Sequence, residues 1–266
     1  MIRNFMNKDT LPLFLLLAIH ILGIIFGIFF YSSWNQIIEL VEFSTIVLVI
    51  LILIIDRKSL KNFNIDKPSY ILYMGSLFIH GIGIINKIKN FGNFKIFGLI
   101  VGIWFFLKYM KQYYLELESI NWKKISWIFI GSIIVILLTS ISFVLGNKGE
   151  SISINVLPGD FYKILLAGIS FFLLQLLRTT IFEEIVYRGL LWGKLGKWIK
   201  NPVKVLIIQS LLFWLIHIAV LPNTISFFFT LPLLSLLFGY VAWKSNSLFP
   251  SIVIHSLYNT FVFLLT

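Results

Sequence analysis

The chain contains no cysteine. That absence removes disulfides, iron–sulfur clusters and thiolate zinc sites together, and leaves only His, carboxylate or amide groups to bind a metal. Acids are nearly as scarce, with 11 Asp and Glu in 266 residues against 22 Lys and Arg. Charged residues make up 12% of the chain, while 59% is hydrophobic and 17% aromatic, giving a mean hydropathy of +0.95. Ordinary soluble domains hold about 45 to 50% apolar residues, so this is the composition of a polytopic membrane protein. The net charge of +11 does not point to nucleic acid, because the cations sit in short clusters between apolar runs, as they do in cytoplasmic loops. No repeat, low-complexity linker or soluble domain interrupts the pattern.

What the chain does have is long apolar stretches. At about 20 apolar residues per crossing, spans are expected at Leu11–Tyr31, Ile37–Ile55, Tyr70–Ile85, Ile96–Met110, Ile125–Leu145, Tyr162–Phe182 (continuing to about Trp192), Val203–Val220, Ile225–Trp243 and Leu248–Leu265. The third and fourth are short and contain glycine, so the expected fold is an all-α membrane bundle of eight or nine helices. The first run is too long for a signal-peptide core and lacks a small-residue cleavage site, so it is expected to remain as a span. Cations at Arg57, Lys58, Lys61 and Lys67, at Lys123 and Lys124, at Lys194, Lys197, Lys200 and Lys204, and at Lys244 place those loops and the N-terminus in the cytoplasm. Lys87, Lys89 and Lys95 run against that topology. Pro232 lies inside a span and predicts a kink. Residues 1–150 form an N-terminal half with no recognisable role, and residues 151–266 hold the polar side chains.

Within the second half, Phe182-Glu183-Glu184-Ile185-Val186-Tyr187-Arg188-Gly189 sets two adjacent carboxylates at the end of an apolar run. A charge near the bilayer centre costs roughly 2.5 to 3.5 kcal/mol on insertion scales, so something must offset it. The four-residue spacing pairs Glu184 with Arg188 on one helical face, while Glu183 points about 100° away, toward a pocket. All four histidines, His20, His80, His217 and His255, lie in apolar runs. His217 follows Phe213 by four residues and His255 precedes Asn259 by four.

Counting the helical rise from the cytoplasmic ends puts Glu183 about 16 Å from Lys194, His217 about 22 Å from Pro202, and His255 and Asn259 roughly 10 to 17 Å from Leu248. Three helices therefore bring their polar groups to a similar depth. Glu183, His217 and His255 could form a zinc site with an open water position, or the same groups could polarise water directly. The HExxH pattern of soluble zinc proteases is absent. A lone membrane histidine more often bonds one helix to another, which is how His20 and His80 are read. Glu39 and Glu42 read as interfacial, Phe227, Phe228 and Phe229 as a lipid-facing or packing surface, and Tyr187 as either a substrate contact or packing.

The motifs EExxxR (Glu183, Glu184, Arg188), FxxxH (Phe213, His217) and HxxxN (His255, Asn259), in that order on successive helices, resemble the CPBP family. Its members are the type II CAAX prenyl endopeptidases and the bacterial Abi-type bacteriocin-processing and immunity proteins. The resemblance covers about residues 162–266 and implies a membrane-embedded endopeptidase. Its implied catalytic set is Glu183, Glu184, His217, His255 and Asn259, with Arg188 and Phe213 in support. Glu183 is then the general base and His217 assists proton transfer. His255 with Asn259 stabilises the oxyanion or helps hold the site, and Glu184 with Arg188 forms the structural pair behind it. Zinc would bind Glu183, His217 and His255 if a metal is used; the family has been argued both ways. The expected partners are membrane lipid and a hydrophobic peptide or membrane-protein substrate, not nucleic acid, with the site reached from the cytoplasmic side of a cell membrane. Ile, Lys, Phe and Asn usage suits an AT-rich bacterial genome, where the resemblance points to leader, signalling or bacteriocin peptides. A non-catalytic immunity or scaffold protein is the alternative. A proton-relay transporter is a third class, and the chain shows no inverted repeat to support it.

Overall fold

The computed structural model describes residues 63–87, 118–146, 160–217 and 225–265, with single helical residues between 14 and 25. Among the described residues every regular element is a helix. The helices are α1 (Lys67–Lys87), α2 (Trp122–Gly146), α3 (Asp160–Leu177), α4 (Thr179–Glu184), a π-helical turn Ile185–Leu191, α5 (Trp192–Trp198), α6 (Pro202–Ile216), a second π-helical turn Ser226–Thr230, α7 (Leu231–Ser245) and α8 (Leu248–Leu265). Among the described residues four continuous helical stretches are long and apolar enough to cross a membrane: Trp122–Gly146, Phe161–Trp198, Ser226–Ser245 and Leu248–Leu265. The expected spans Leu11–Tyr31, Ile37–Ile55 and Ile96–Met110 lie outside the described residues, apart from those few helical positions. So do His20, Glu39, Glu42 and the side chain of His80.

The stretch 161–198 was expected to end near Trp192, and it runs further because it is not one regular helix. Arg178 (φ −123°, ψ −75°) breaks it, and the π turn widens it directly after Glu184. Both irregularities flank the acidic pair. Helix α6 starts where Pro202 follows Asn201, whose side chain accepts hydrogen bonds from the amides of Val203 (2.9 Å) and Lys204 (3.3 Å). A proline at the first helical position needs no amide partner, and Asn is a strong cap. At about 1.5 Å per residue its 15 residues span roughly 22 Å. Its C-terminus, with His217 as the cap residue, therefore stops short of a full crossing.

Pro232 sits at the start of α7, immediately after the second π turn. The irregularity predicted there is thus a π turn ahead of the proline. The carbonyl of Phe227 within that turn accepts from the indole nitrogen of Trp214 at 2.8 Å.

Helix α8 is central, packing on α2, α3 and α7 and reaching α4 and the first π turn. One apolar core gathers Ile181, Ile185, Leu190, Phe213 and Ile252 with Phe63 and Tyr73. A second gathers Val135, Leu234, Phe238 and Ile254 between α2, α7 and α8. The outer faces of α2 and α3 present exposed apolar side chains such as Phe129, Leu137, Phe161 and Leu173, as a lipid-facing surface requires.

Helices α6 and α7 run antiparallel and are locked by reciprocal bonds, Ser210 Oγ to the Ser235 carbonyl (3.1 Å) and Ser235 Oγ to the Ser210 carbonyl (2.9 Å). Close approach at this crossing depends on Gly239, where an added Cβ would lie 2.1 Å from Gln209 Nε2 and 2.6 Å from a Leu206 methyl. Gly239→Ala is expected to lower stability by about 1 to 3 kcal/mol through overpacking. Adding Gln209→Ala should recover part of that loss in thermal unfolding, and no recovery would mean that the clash is not with Gln209.

Two cations placed in loops by the sequence reading are instead buried. Lys194 is 1% exposed. Lys124 is fully buried because its ammonium group donates to Asp66 Oδ2 (3.0 Å) and to the Ser119 carbonyl (2.9 Å).

Candidate active site

Glu184 lies at the C-terminus of α4 with its carboxylate fully buried. Burial of a carboxylate is tolerable only when its oxygens are answered, and here three donors answer them. Arg188 Nη1 donates to Oε1 at 3.1 Å, His255 Nδ1 to the same oxygen at 2.8 Å, and Ser251 Oγ to Oε2 at 2.5 Å. Ser251 and His255 lie one turn apart on α8, so a single face of that helix closes over the carboxylate. The second guanidinium nitrogen of Arg188 reaches the Ser235 carbonyl (3.3 Å) and hydroxyl (3.4 Å), which ties α7 into the same network.

Glu183 is arranged differently. Its side chain keeps 27% of its surface exposed, and Oε2 stands 3.5 Å from His255 Nε2. The neighbouring acids thus divide the work. Glu184 is committed to protein partners, and Glu183 faces open space with an imidazole at its side.

The aromatic ring at the centre is Phe213, fully buried on α6. The Arg188 guanidinium carbon lies 3.9 Å from its centroid, Tyr187 meets it edge-on at 5.2 Å, His217 packs at 4.6 Å and His255 meets it edge-on at 5.6 Å. The His255 ring also stacks on Phe238 at 4.6 Å. Both imidazoles and the guanidinium are therefore held against one apolar surface.

Hydrogen bonding fixes the tautomers. His217 Nδ1 lies 2.7 Å from the Phe213 carbonyl, which can only accept, so Nδ1 carries the proton and Nε2 of the neutral ring is a lone-pair base. His255 Nδ1 donates to the Glu184 carboxylate, leaving Nε2 to exchange a proton with Glu183.

Asn259 sits apart from this group. Its Nδ2 donates to Gln175 Oε1 (2.9 Å) and lies 3.5 Å from Thr180 Oγ1, so both amide hydrogens point toward the break at Arg178. The sequence reading gave Asn259, with His255, the task of stabilising the oxyanion or of helping to hold the site. In the structure its amide joins α8 to α3 and α4 through Gln175 and Thr180.

Glu183, His217 and His255 do not converge as metal ligands, and no group of three or more His, Asp or Glu among the described residues does so. Glu183 Oε2 and His255 Nε2 face each other, while the bond from His217 Nδ1 to the carbonyl of its own helix leaves Nε2 as that ring's lone-pair nitrogen.

Sequence reasoning missed Ser251, Ser235, Gln175 and Thr180. A signal existed for one of them, since Ser251, His255 and Asn259 recur at four-residue steps along α8. Of the aromatic run, Phe227 is buried against Trp214 and Phe228 is 66% exposed, so the run contributes both to packing and to the outer surface. Tyr187 is buried against Phe213.

A multi-pass, all-helical membrane protein with a buried Glu/His centre is the class that this fold and this site define. The family model for type II CAAX prenyl endopeptidases, Rce1-like, matches residues 164–261. Over that region the chain is similar to the membrane CAAX-type endopeptidases, and the match supports a CPBP family protease, in line with the motifs. No curated protein and no solved structure matches the chain.

Proposed function

We propose that this protein hydrolyses a peptide bond of a hydrophobic or membrane-associated peptide inside the bilayer, using water activated by Glu183. The observation that carries this reading is the contrast between the paired acids. Glu184 is saturated by Arg188, Ser251 and His255, whereas Glu183 is part-exposed beside a histidine nitrogen whose partner nitrogen is locked. Glu183 takes a proton from water as the water oxygen attacks the scissile carbonyl carbon, giving a tetrahedral intermediate. As the carbon–nitrogen bond breaks, the same proton passes to the departing amine, leaving a carboxylate and an amine product. His217 Nε2 accepts a proton and His255 relays one, and their fixed rings reduce the reorganisation the step requires. Glu184 and Arg188 hold the frame.

The substrate is apolar because the site is deep. His255 lies about 10 Å and Asn259 about 16 Å beyond Leu248 along α8. Helices α7 and α8 meet at Ser245–Leu248, level with the starts of α1 and α2, and the antiparallel pairing of α6 with α7 brings the start of α6 to the same side. Lys67, Lys123, Lys200, Lys204 and Lys244 cluster at that end, which we assign to the cytoplasm.

The test is cleavage by the purified full chain in lipid nanodiscs, read by mass spectrometry. One probe is a prenylated peptide ending in a CAAX sequence, and the other is an unprenylated apolar leader peptide. Cleavage of either by the wild-type protein, lost on His217→Gln, supports the reading. Cleavage that survives His217→Gln and Glu183→Gln alike overturns it.

A further inference from the structure

The best-satisfied polar cluster outside the catalytic residues lies at the cytoplasmic end, and it draws on residues beyond the segment matched by the family. Asp66, 2% exposed, accepts from Lys124 Nζ (3.0 Å) and Ser247 Oγ (2.5 Å) at Oδ2, and from the Ser69 amide (3.3 Å) and hydroxyl at Oδ1. Besides capping α1, this carboxylate therefore joins the start of α2 to the connection between α7 and α8.

Two contacts carry that junction to the catalytic helices. Ser247 is the N-cap of α8. Its hydroxyl donates to Asp66 and accepts from the Phe249 amide at 3.2 Å, so directing the hydrogen at Asp66 turns a lone pair toward the helix. The Leu248 amide donates to the carbonyl of Asn64 at 2.8 Å, which Asn64 can present because it adopts a left-handed backbone (φ 56°). The residue before it, Phe63, is fully buried, and its carbonyl would lie 3.2 Å from any Cβ at Gly189, in the π turn that carries Arg188. One segment, 63–66, thus touches both helices that build the site.

From the cap, α8 runs one turn to Ser251 and a second to His255, the two residues that hold Glu184. A slip of one residue would turn those side chains by about 100° and shift them by about 1.5 Å.

We propose that Asp66 is a positioning residue of the catalytic centre. Through Ser247 it sets the rotation and height of α8, so that Ser251 and His255 close on Glu184 and His255 Nε2 faces Glu183. The N-terminal half is in this respect part of the active site's frame. The inference rests on the hydrolytic reading above for its kinetic test but not for its spectroscopic one.

A buried ion pair that only stabilises can be exchanged for apolar side chains with little or no loss of stability, and this separates the two roles. In the full-length protein in nanodiscs, Asp66→Leu with Lys124→Met should leave the protein folded, with thermal stability lowered only by the lost α1 cap and the released serine hydroxyls. Turnover of the cleaved probe peptide should nevertheless fall roughly tenfold to a hundredfold, as expected when a distant change misplaces reacting groups by about 1 Å, with KM unchanged. The ¹⁵N ring signals of His255, identified by their loss in His255→Gln, should move away from those of an Nδ1–H bound to a carboxylate. Ser247→Ala, which removes only the hydroxyl, should reproduce both changes and decides the matter if the double variant does not fold. Wild-type turnover and unmoved His255 signals in these variants overturn the proposal. If the same preparation loses activity on Glu183→Gln, the hydrolytic reading stands regardless. If the wild-type protein cleaves neither peptide, the His255 signals alone decide whether Asp66 positions α8.

Discussion

Glu183→Gln is expected to reduce peptide cleavage by at least about a hundredfold, the usual worth of a positioned general base, while leaving thermal unfolding almost unchanged. The two halves of that expectation come from one geometry. The Glu183 carboxylate is part-exposed, and its described polar contact is His255 Nε2 at 3.5 Å, longer than the roughly 2.9 Å of a strong N–H···O bond. Little folding energy is therefore at stake. The amide of Gln is nearly isosteric but cannot take a proton from water, so only the chemistry is removed. Single-turnover cleavage beside a thermal melt measures both quantities. Wild-type cleavage by the variant would remove Glu183 from the mechanism, and a large drop in Tm would show that it is a folding residue.

Arg188→Ala should do the reverse and damage the fold first. The guanidinium neutralises Glu184, bonds the Ser235 carbonyl and hydroxyl, and lies over the Phe213 ring with its carbon 3.9 Å from the centroid, all without access to solvent. Removing one partner of a buried ion pair leaves an uncompensated charge and costs about 3 to 5 kcal/mol, more than the cavity alone would suggest. The variant should unfold at a markedly lower temperature and show little activity. Adding Glu184→Met, which takes away the stranded carboxylate, should restore part of the stability and none of the activity, because His255 then loses the partner at Nδ1. Unfolding of the single variant at the wild-type temperature would refute the assignment of Glu184 and Arg188 as the structural pair.

These two residues differ in how easily they could be read from the chain. The Glu184–Arg188 pairing follows from four-residue spacing alone, and the spans from Ile125, Leu248 and Ile225 onward follow from apolar length. The structure shows helices over those regions. Phe213 was visible only as a letter in FxxxH. That four partners share its ring is a fact of packing between the first π turn, α6 and α8, which no local pattern encodes. Ser251 and Ser235 stayed hidden because a serine in an apolar helix costs little and is common. Asp66 and Lys124, 58 positions apart, looked like ordinary loop charges, since a polar stretch between spans reads the same whether water or protein surrounds it. The breaks at Arg178 and at the two π turns escaped notice because periodic reading assumes 3.6 residues per turn throughout.

The first of those π turns also bears on how the motif should be compared between proteins. A widened turn accommodates, in effect, one residue more than a regular coil, so shortening Ile185–Leu191 by a single position after Arg188 would leave EExxxR intact in the text of the chain. The downstream helix would nonetheless swing by about 100°, carrying Lys194 out of its buried seat and pulling Gly189 off the backbone of Phe63. Two homologues could then share every signature letter and differ in where the helix after the arginine is seated, a distinction that spelling alone cannot register.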